Sequence, residues 1–347
     1  MDELVTRRFI LFSCTKGLKL TATHSATERK MALIKVWDAM FKGARKEVEN
    51  RGFIGVHNAP ELVGITGACE NVDTLFKVDF FGKQAYLAQS DQLYLELLTP
   101  HLDKVYAEIQ SFRMEAEADA RHLCQFSLFE IEHKGDLDEL MDNIEAILQS
   151  MIDAVMDLEE WELDATGMTD QWYHNHMRSW RKPLPRVSYT QCVDVLRGGN
   201  YPELEWGDDL KAHHESDIVD LFGPCFVTHY PKAIKFFNMR ENENHADTVN
   251  SCDLLLPYSG ESAGAAERET DHATIVRRLK ESDMYKRLIE LGGKDEDFAW
   301  YLDAHRDVDV PLHSGAGIGM ARIAQFILGV DDIRDAVPFI INSENLL

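Results

Sequence analysis

Apolar residues recur at helical spacing over residues 25–50, where Met31, Ile34, Val36, Trp37, Met40 and Phe41 are separated by charges and Ser25 and Thr27 mark the start. Arg51-Gly52-Phe53 ends this helix, and a strand is expected to run on to Pro60. Within residues 62–81 a loop, GITGACENVD, precedes LFKVDFFG, which alternates as a strand does. Two further period-two segments, KVYAEIQSFRME (104–115) and CQFSLFEIE (124–132), flank the polar stretch AEADA and predict an antiparallel hairpin with a long loop. Residues 136–163 read as one long acidic amphipathic helix, and 164–215, mixed in Gly, Pro, Trp and His, as a partly irregular insertion. FVTHY and AIKFFNM (within 218–240) and SCDLLLPY (249–258) read as strands, and 271–291 and 295–306 as helices. Strands that pair as hairpins between helices predict an α+β fold, an antiparallel β-sheet flanked by helices, rather than a doubly wound sheet.

Composition narrows the function classes. With 347 residues and 45% hydrophobic positions the chain can bury a sizeable core. A formal net charge of −24 argues against non-specific nucleic-acid binding, which a basic surface drives, without excluding a local basic patch. The six cysteines are scattered with no CxxC pair, so reduced, mostly buried thiols in a cytoplasmic protein are expected. No signal-peptide pattern opens the chain, and no apolar run reaches the roughly 18 residues of a membrane span.

Candidate chemistry gathers in three stretches. In HSGAGIGMARIAQFILGVDDIRD (313–335), Gly315, Gly317 and Gly319 precede an apolar helical pattern with Arg322 in its first turn. Bare backbone, a helix N-terminus and a guanidinium suit a polyphosphate; a tight strand-to-helix turn with a surface arginine fits equally. In the hairpin, alternation puts Arg113 and Glu115 on one face of the first strand, and Phe126, Glu130 and Glu132 on one face of the second. If these faces coincide, a ring for a base lies beside a guanidinium for a phosphate; an exposed charged face is the plain alternative. Asp253 and Glu261, in CDLLLPYSGESAG, are hard oxygen donors of the kind Mg²⁺ takes beside phosphates, or merely two acids near a turn. His174, His176, His213 and His214 lack a third ligand at zinc-like spacing and read as loop histidines.

The order of these features resembles the catalytic domain of class II aminoacyl-tRNA synthetases, most closely the aspartyl/asparaginyl subgroup. LFKVDFFGKQAYLAQSDQLYLE, IQSFRMEAEADARHLCQFSLFEIE and HSGAGIGMARIAQFILGVDDIRDAVPF carry the resemblance, which runs from about residue 28 to 339. It implies a catalytic domain over 28–347 with an N-terminal extension over 1–27, and a homodimer built through residues 31–60. It further implies that Arg113 and Arg322 are the catalytic arginines, on the α- and γ-phosphates of ATP. Glu115, Arg121, His122, Phe126, Glu261 and Gly319 would complete the ATP site. Glu70, Gln92, Glu130 and Arg268 would hold the amino acid, and Asp253 and Glu261 would hold Mg²⁺.

Three departures modify that expectation. The subgroup's N-terminal anticodon-reading β-barrel finds no room before residue 28, which makes tRNA an unlikely partner though not an excluded one. Leu95, in QSDQLYLE, stands where aspartyl enzymes carry a lysine for the substrate carboxylate; asparaginyl enzymes also have leucine there. Ala266, in GESAGAAER, replaces a serine that helps bind Mg²⁺. The sequence therefore leads to an AMP-forming ligase that activates aspartate, asparagine or a close analogue and passes it to ammonia or an amine, in the manner of asparagine synthetase. Aminoacylation of tRNA and a non-catalytic regulatory role are the alternatives.

Overall fold

The computed structural model describes residues 24–65, 71–177, 180 and 182–346. Its strands are, in chain order, β1 (Ile54–Gly55), β2 (Leu62–Val63), β3 (Lys77–Phe80), β4 (Lys83–Leu87), β5 (Lys104–Phe112), β6 (Gln125–Lys134), β7 (Arg186–Ser188), β8 (Cys225–Thr228), β9 (Ser251–Leu256), β10 (Gly260–Glu267) and β11 (His313–Gly319). The α-helices among the described residues are α1 (Ala26–Asn50), α2 (Gln92–Glu96), α3 (Leu137–Met156), α4 (Glu160–Thr166), α5 (Asp170–Trp172), α6 (Tyr189–Gly198), α7 (Ala212–Phe222), α8 (His272–Glu281), α9 (Asp283–Glu290), α10 (Ala299–Asp307) and α11 (Met320–Leu328).

Eight strands form one sheet in the order β1-β5-β6-β11-β10-β9-β8-β7. The six central strands are antiparallel, as the hairpin pattern predicts, while β1 and β7 join the edges in parallel. A second sheet, β2-β4-β3, leads into α2.

Alternation divides the large sheet into two faces. Tyr106, Phe129, Ile131, Ala265, Ala316 and Ile318 point into the main core with α1, α3 and α11. The opposite face carries Phe126, Glu130, Glu132, Asp253, Gly264, Gly315 and Gly317, by the same period of two. Helix α1 starts at a capping box between Ser25 and Glu28 and buries Leu33, Val36, Met40 and Val48. It packs closely on α3 because Gly43 is bare; a Cβ there would lie 2.4 Å from Ser150 O.

Several elements differ from the sequence expectation. The long acidic helix is broken into α3 and α4 at Asp157–Glu159, where Glu159 takes an extended backbone and caps α4. The stretch 164–215 is more regular than its composition suggests: it holds β7 and α6, which pack with α7, β8 and β9 around Tyr189, Cys192, Leu196 and Ile218. AIKFFNM is not a strand; after a 3₁₀ turn at Lys232–Ile234, Phe236 and Phe237 plug a separate core with Phe298 and Tyr301. The strand expected up to Pro60 is only two residues long. Among the described residues the four cysteines, Cys124, Cys192, Cys225 and Cys252, are free and buried, and no helix is long and apolar enough to cross a membrane.

Candidate active site

One cavity of about 370 Å³ opens on the glycine-bearing face of the large sheet. Arg113, Glu115, Arg121, His122, Phe126, Gln92, Glu130, Arg268, Asp253, Glu261, Gly319 and Arg322 all line it. Every described residue assigned from the resemblance is thus brought to one place; Glu70 lies outside the described residues.

The hairpin register explains half of the site. Ser111 pairs with Phe126 and Ala107 with Glu130, so the two faces left open by the sequence are one face. Arg113, two residues after Ser111, holds its guanidinium 5.7 Å from the centre of the Phe126 ring. That is a cation–π distance.

The glycines act differently from a phosphate-cradling turn. Gly315 and Gly317 lie within β11, and only Gly319 caps α11. Asp253, Gly264, Gly317 and Glu130 pair in one row across β9, β10, β11 and β6. Two bare residues between two acids leave a trough; three strand spacings of about 4.8 Å put its ends roughly 14 Å apart.

At the Asp253 end the cations converge. Arg322 donates to the Glu261 carbonyl. Arg121 meets Glu215 at 2.8 Å, and Glu215 also accepts from the Glu261 backbone N–H at 3.2 Å. Lys235 lies 2.8 Å from one oxygen of Asp253 and 3.1 Å from the other. Burial pushes the Glu261 carboxyl up, but the field of Lys235, Arg322, Arg113 and Arg121 outweighs it and holds the group below its ordinary value. His122 is oriented by Asp119 at 2.8 Å.

At the Glu130 end the groups are buried acids with defined partners. Glu130 accepts from Ser90 Oγ at 2.6 Å and from the Asp91 backbone N–H at 2.9 Å. Burial raises its carboxyl to about 7, with Glu132 adding to the shift. Asp91 is fully buried with both side-chain oxygens unpartnered, and burial, then Glu130 and Glu61, raise it to about 8. Arg268 reaches across β11 to grip Glu132 with two bonds of 3.1 Å, and lies 3.6 Å from Glu96. Glu96 in turn accepts from Asn238 and Tyr301 at 2.6 Å, with His313 at 3.8 Å. Burial lowers His313, but Glu96 and Glu132 more than offset this and raise it above its ordinary value.

Glu132, Glu96, His313, Glu215 and Lys235 are additions to the sequence-derived set. Glu132 was on the face the alternation assigned; its partner Arg268 is two strands away and invisible to local pattern. The four histidines do not form a centre. His176 stacks on Trp172 at 4.2 Å, and His213 and His214 lie on α7 rather than in a loop, with His214 buried. No group of three or more metal-type ligands occurs among the described residues.

The family model for class II tRNA synthetases of the D, K and N type matches residues 17–343. The chain belongs to this family of ligases. The asparagine–tRNA ligase of Pyrococcus horikoshii is 35% identical over 321 residues, which are 91% of this chain and 69% of that protein. That of Lactococcus lactis subsp. cremoris is 32% identical over 322 residues. Among class II synthetases of known structure, the P. horikoshii asparaginyl enzyme with asparaginyl-adenylate superposes with a TM-score of 0.81 at 35% identity, over 92% of this chain and 70% of that one. The Entamoeba histolytica asparaginyl enzyme gives 0.76 at 25% identity.

Proposed function

We propose that the protein uses ATP to activate the α-carboxylate of asparagine or a closely related carboxamide amino acid, releasing pyrophosphate and holding the acyl-adenylate for transfer to an acceptor. The observation that carries this reading is the saturation of Arg268. The one guanidinium already faces two carboxylates, Glu132 at 3.1 Å and Glu96 at 3.6 Å, so no positive charge is left over for a substrate carboxylate. A carboxamide instead offers a carbonyl to Arg268 and N–H groups to Glu132, a neutral match for a neutral pair. Leu95, buried in the same cavity wall, adds no cation.

In this reading the purine stacks on Phe126 beside Arg113, and the substrate ammonium meets Glu130 and Gln92. The amino-acid carboxylate attacks the α-phosphorus while Arg113 bears the developing charge; Arg121 and Arg322 hold the departing pyrophosphate. No side chain acts as nucleophile. Asp253 and Glu261 have the donor chemistry for Mg²⁺, which when bound would neutralise phosphate charge. A homodimer through residues 31–60 belongs to the same proposal.

For the acceptor, the similarity to asparagine–tRNA ligases favours a tRNA hydroxyl. The amide-ligase reading would place the α-carboxylate of aspartate against Arg268, where Glu132 and Glu96 already sit. Incubation with ATP and radiolabelled asparagine, plus either total tRNA or ammonium, separates the two. Acid-precipitable label only with tRNA supports the reading; a free amide product only with ammonium overturns its acceptor step.

A further inference from the structure

The acidic pair at the phosphate end already has a cation. Asp253 and Glu261 flank the bare face of Gly264, whose missing Cβ would lie 3.4 Å from Glu261 Oε1 and 3.8 Å from Asp253 Oδ1. Into this cleft Lys235 projects its ammonium, with both Asp253 oxygens in hydrogen-bond range and the Tyr230 ring centre 4.2 Å away. Buried Tyr230 also interacts electrostatically with Asp253, which adds to burial in raising the phenol. Only 12% of the Lys235 side chain and 8% of the Asp253 side chain are exposed, which leaves little room for both an ammonium and a hydrated ion. Ala266, on the same face two residues beyond Gly264, offers no hydroxyl to the cleft.

We propose that Lys235 is the resident counter-ion of the Asp253–Glu261 pair, and that a divalent cation binds there only by displacing the Lys235 ammonium from Asp253. A lysine is a compact charge on a flexible stem, able to leave one oxygen acceptor for another. Mg²⁺ requires oxygen ligands at short distance and sheds its water reluctantly, so a site that must first release a paired ammonium binds it weakly. When nucleotide is present, its phosphate oxygens offer the released ammonium alternative acceptors. Ion entry and nucleotide binding are then coupled: the phosphates that supply Mg²⁺ ligands also receive the lysine. The inference concerns the ion site alone and is independent of which amino acid is activated.

The test is Mn²⁺ binding to the full chain without nucleotide or amino acid, read from the free-ion signal in electron paramagnetic resonance. Lys235→Met keeps the stem and removes the charge. It is expected to bind Mn²⁺ roughly tenfold or more tightly than wild type, and Lys235→Met/Asp253→Asn to lose that gain. Lys235→Arg should stay as weak as wild type. Should Lys235→Met fail to fold, Lys235→Gln carries the same comparison. Equal or weaker Mn²⁺ binding in the uncharged variant, or a gain that survives loss of Asp253, overturns the proposal. Because no ATP is present, either result leaves the adenylation reading untouched.

Discussion

Gly315 and Glu132 face each other across β11 and β6, and a methyl group on the glycine would fall 1.8 Å from Glu132 Oε2. The same methyl would meet the Ile131 carbonyl at 2.7 Å, so a side-chain movement alone does not relieve the clash. Gly315→Ala is therefore expected to lower stability by about 1–3 kcal/mol and to raise the amino-acid KM by displacing Glu132 from Arg268. Thermal unfolding and pyrophosphate exchange check this together; an unchanged KM would separate Gly315 from the pocket.

Charge at the Arg268 pair should set the choice between amide and acid. Glu132→Gln removes one negative charge and leaves the guanidinium partly unanswered. Discrimination for asparagine over aspartate in kcat/KM should fall by about tenfold or more, equivalent to about 1.4 kcal/mol. Unaltered discrimination would refute the role given to this pair.

The phosphate-facing arginines should act on chemistry and not on folding. Arg113→Ala and Arg322→Ala are each expected to reduce pyrophosphate exchange by about 10²–10³-fold or more, with the melting temperature and oligomeric state of the wild type retained. Substantial exchange in either variant would contradict its assignment.

Much of this site could be read from the chain. The hairpin alternation gives the Phe126–Glu130 face, because side chains on a strand have a period of two whatever the sheet around them. Arg322 stands in the first turn of an apolar helical pattern, where a surface arginine fits equally, and only the family resemblance assigns it to the phosphates. The purpose of the glycines could not be read locally: their partners Glu130, Glu132 and Gly264 come from strands up to 187 residues before them and about 50 residues away, and the register alone unites them. AIKFFNM misleads for a related reason. Its alternating bulk suits a strand, but Phe236 and Phe237 are claimed by a core that α8 and α10 complete later in the chain.

Asp91 and Glu130 make stability depend on pH with a definite sign. Both carboxyls are raised in the folded state, so the folded protein binds more protons than the unfolded chain above about pH 4, and stability falls as pH rises toward 8. Asp91→Asn should be more stable than wild type at pH 8.5, by about 1–3 kcal/mol, and should lose that advantage near pH 4. Differential scanning fluorimetry at the two pH values decides it; an advantage independent of pH would place the effect in packing.

The same ionisation bears on substrate. Glu130 near 7 must lose its proton to meet an ammonium, so the amino-acid KM should fall between pH 6 and 8. A pH-independent KM would exclude Glu130 as the ammonium partner.

Pyrophosphate exchange with purified protein, ATP and Mg²⁺, without tRNA, tests the central claim most directly. The account predicts exchange with asparagine, at least tenfold weaker exchange with aspartate in kcat/KM, and loss of exchange in Arg322→Ala. Exchange with aspartate at or above the asparagine level, or with neither, would contradict it.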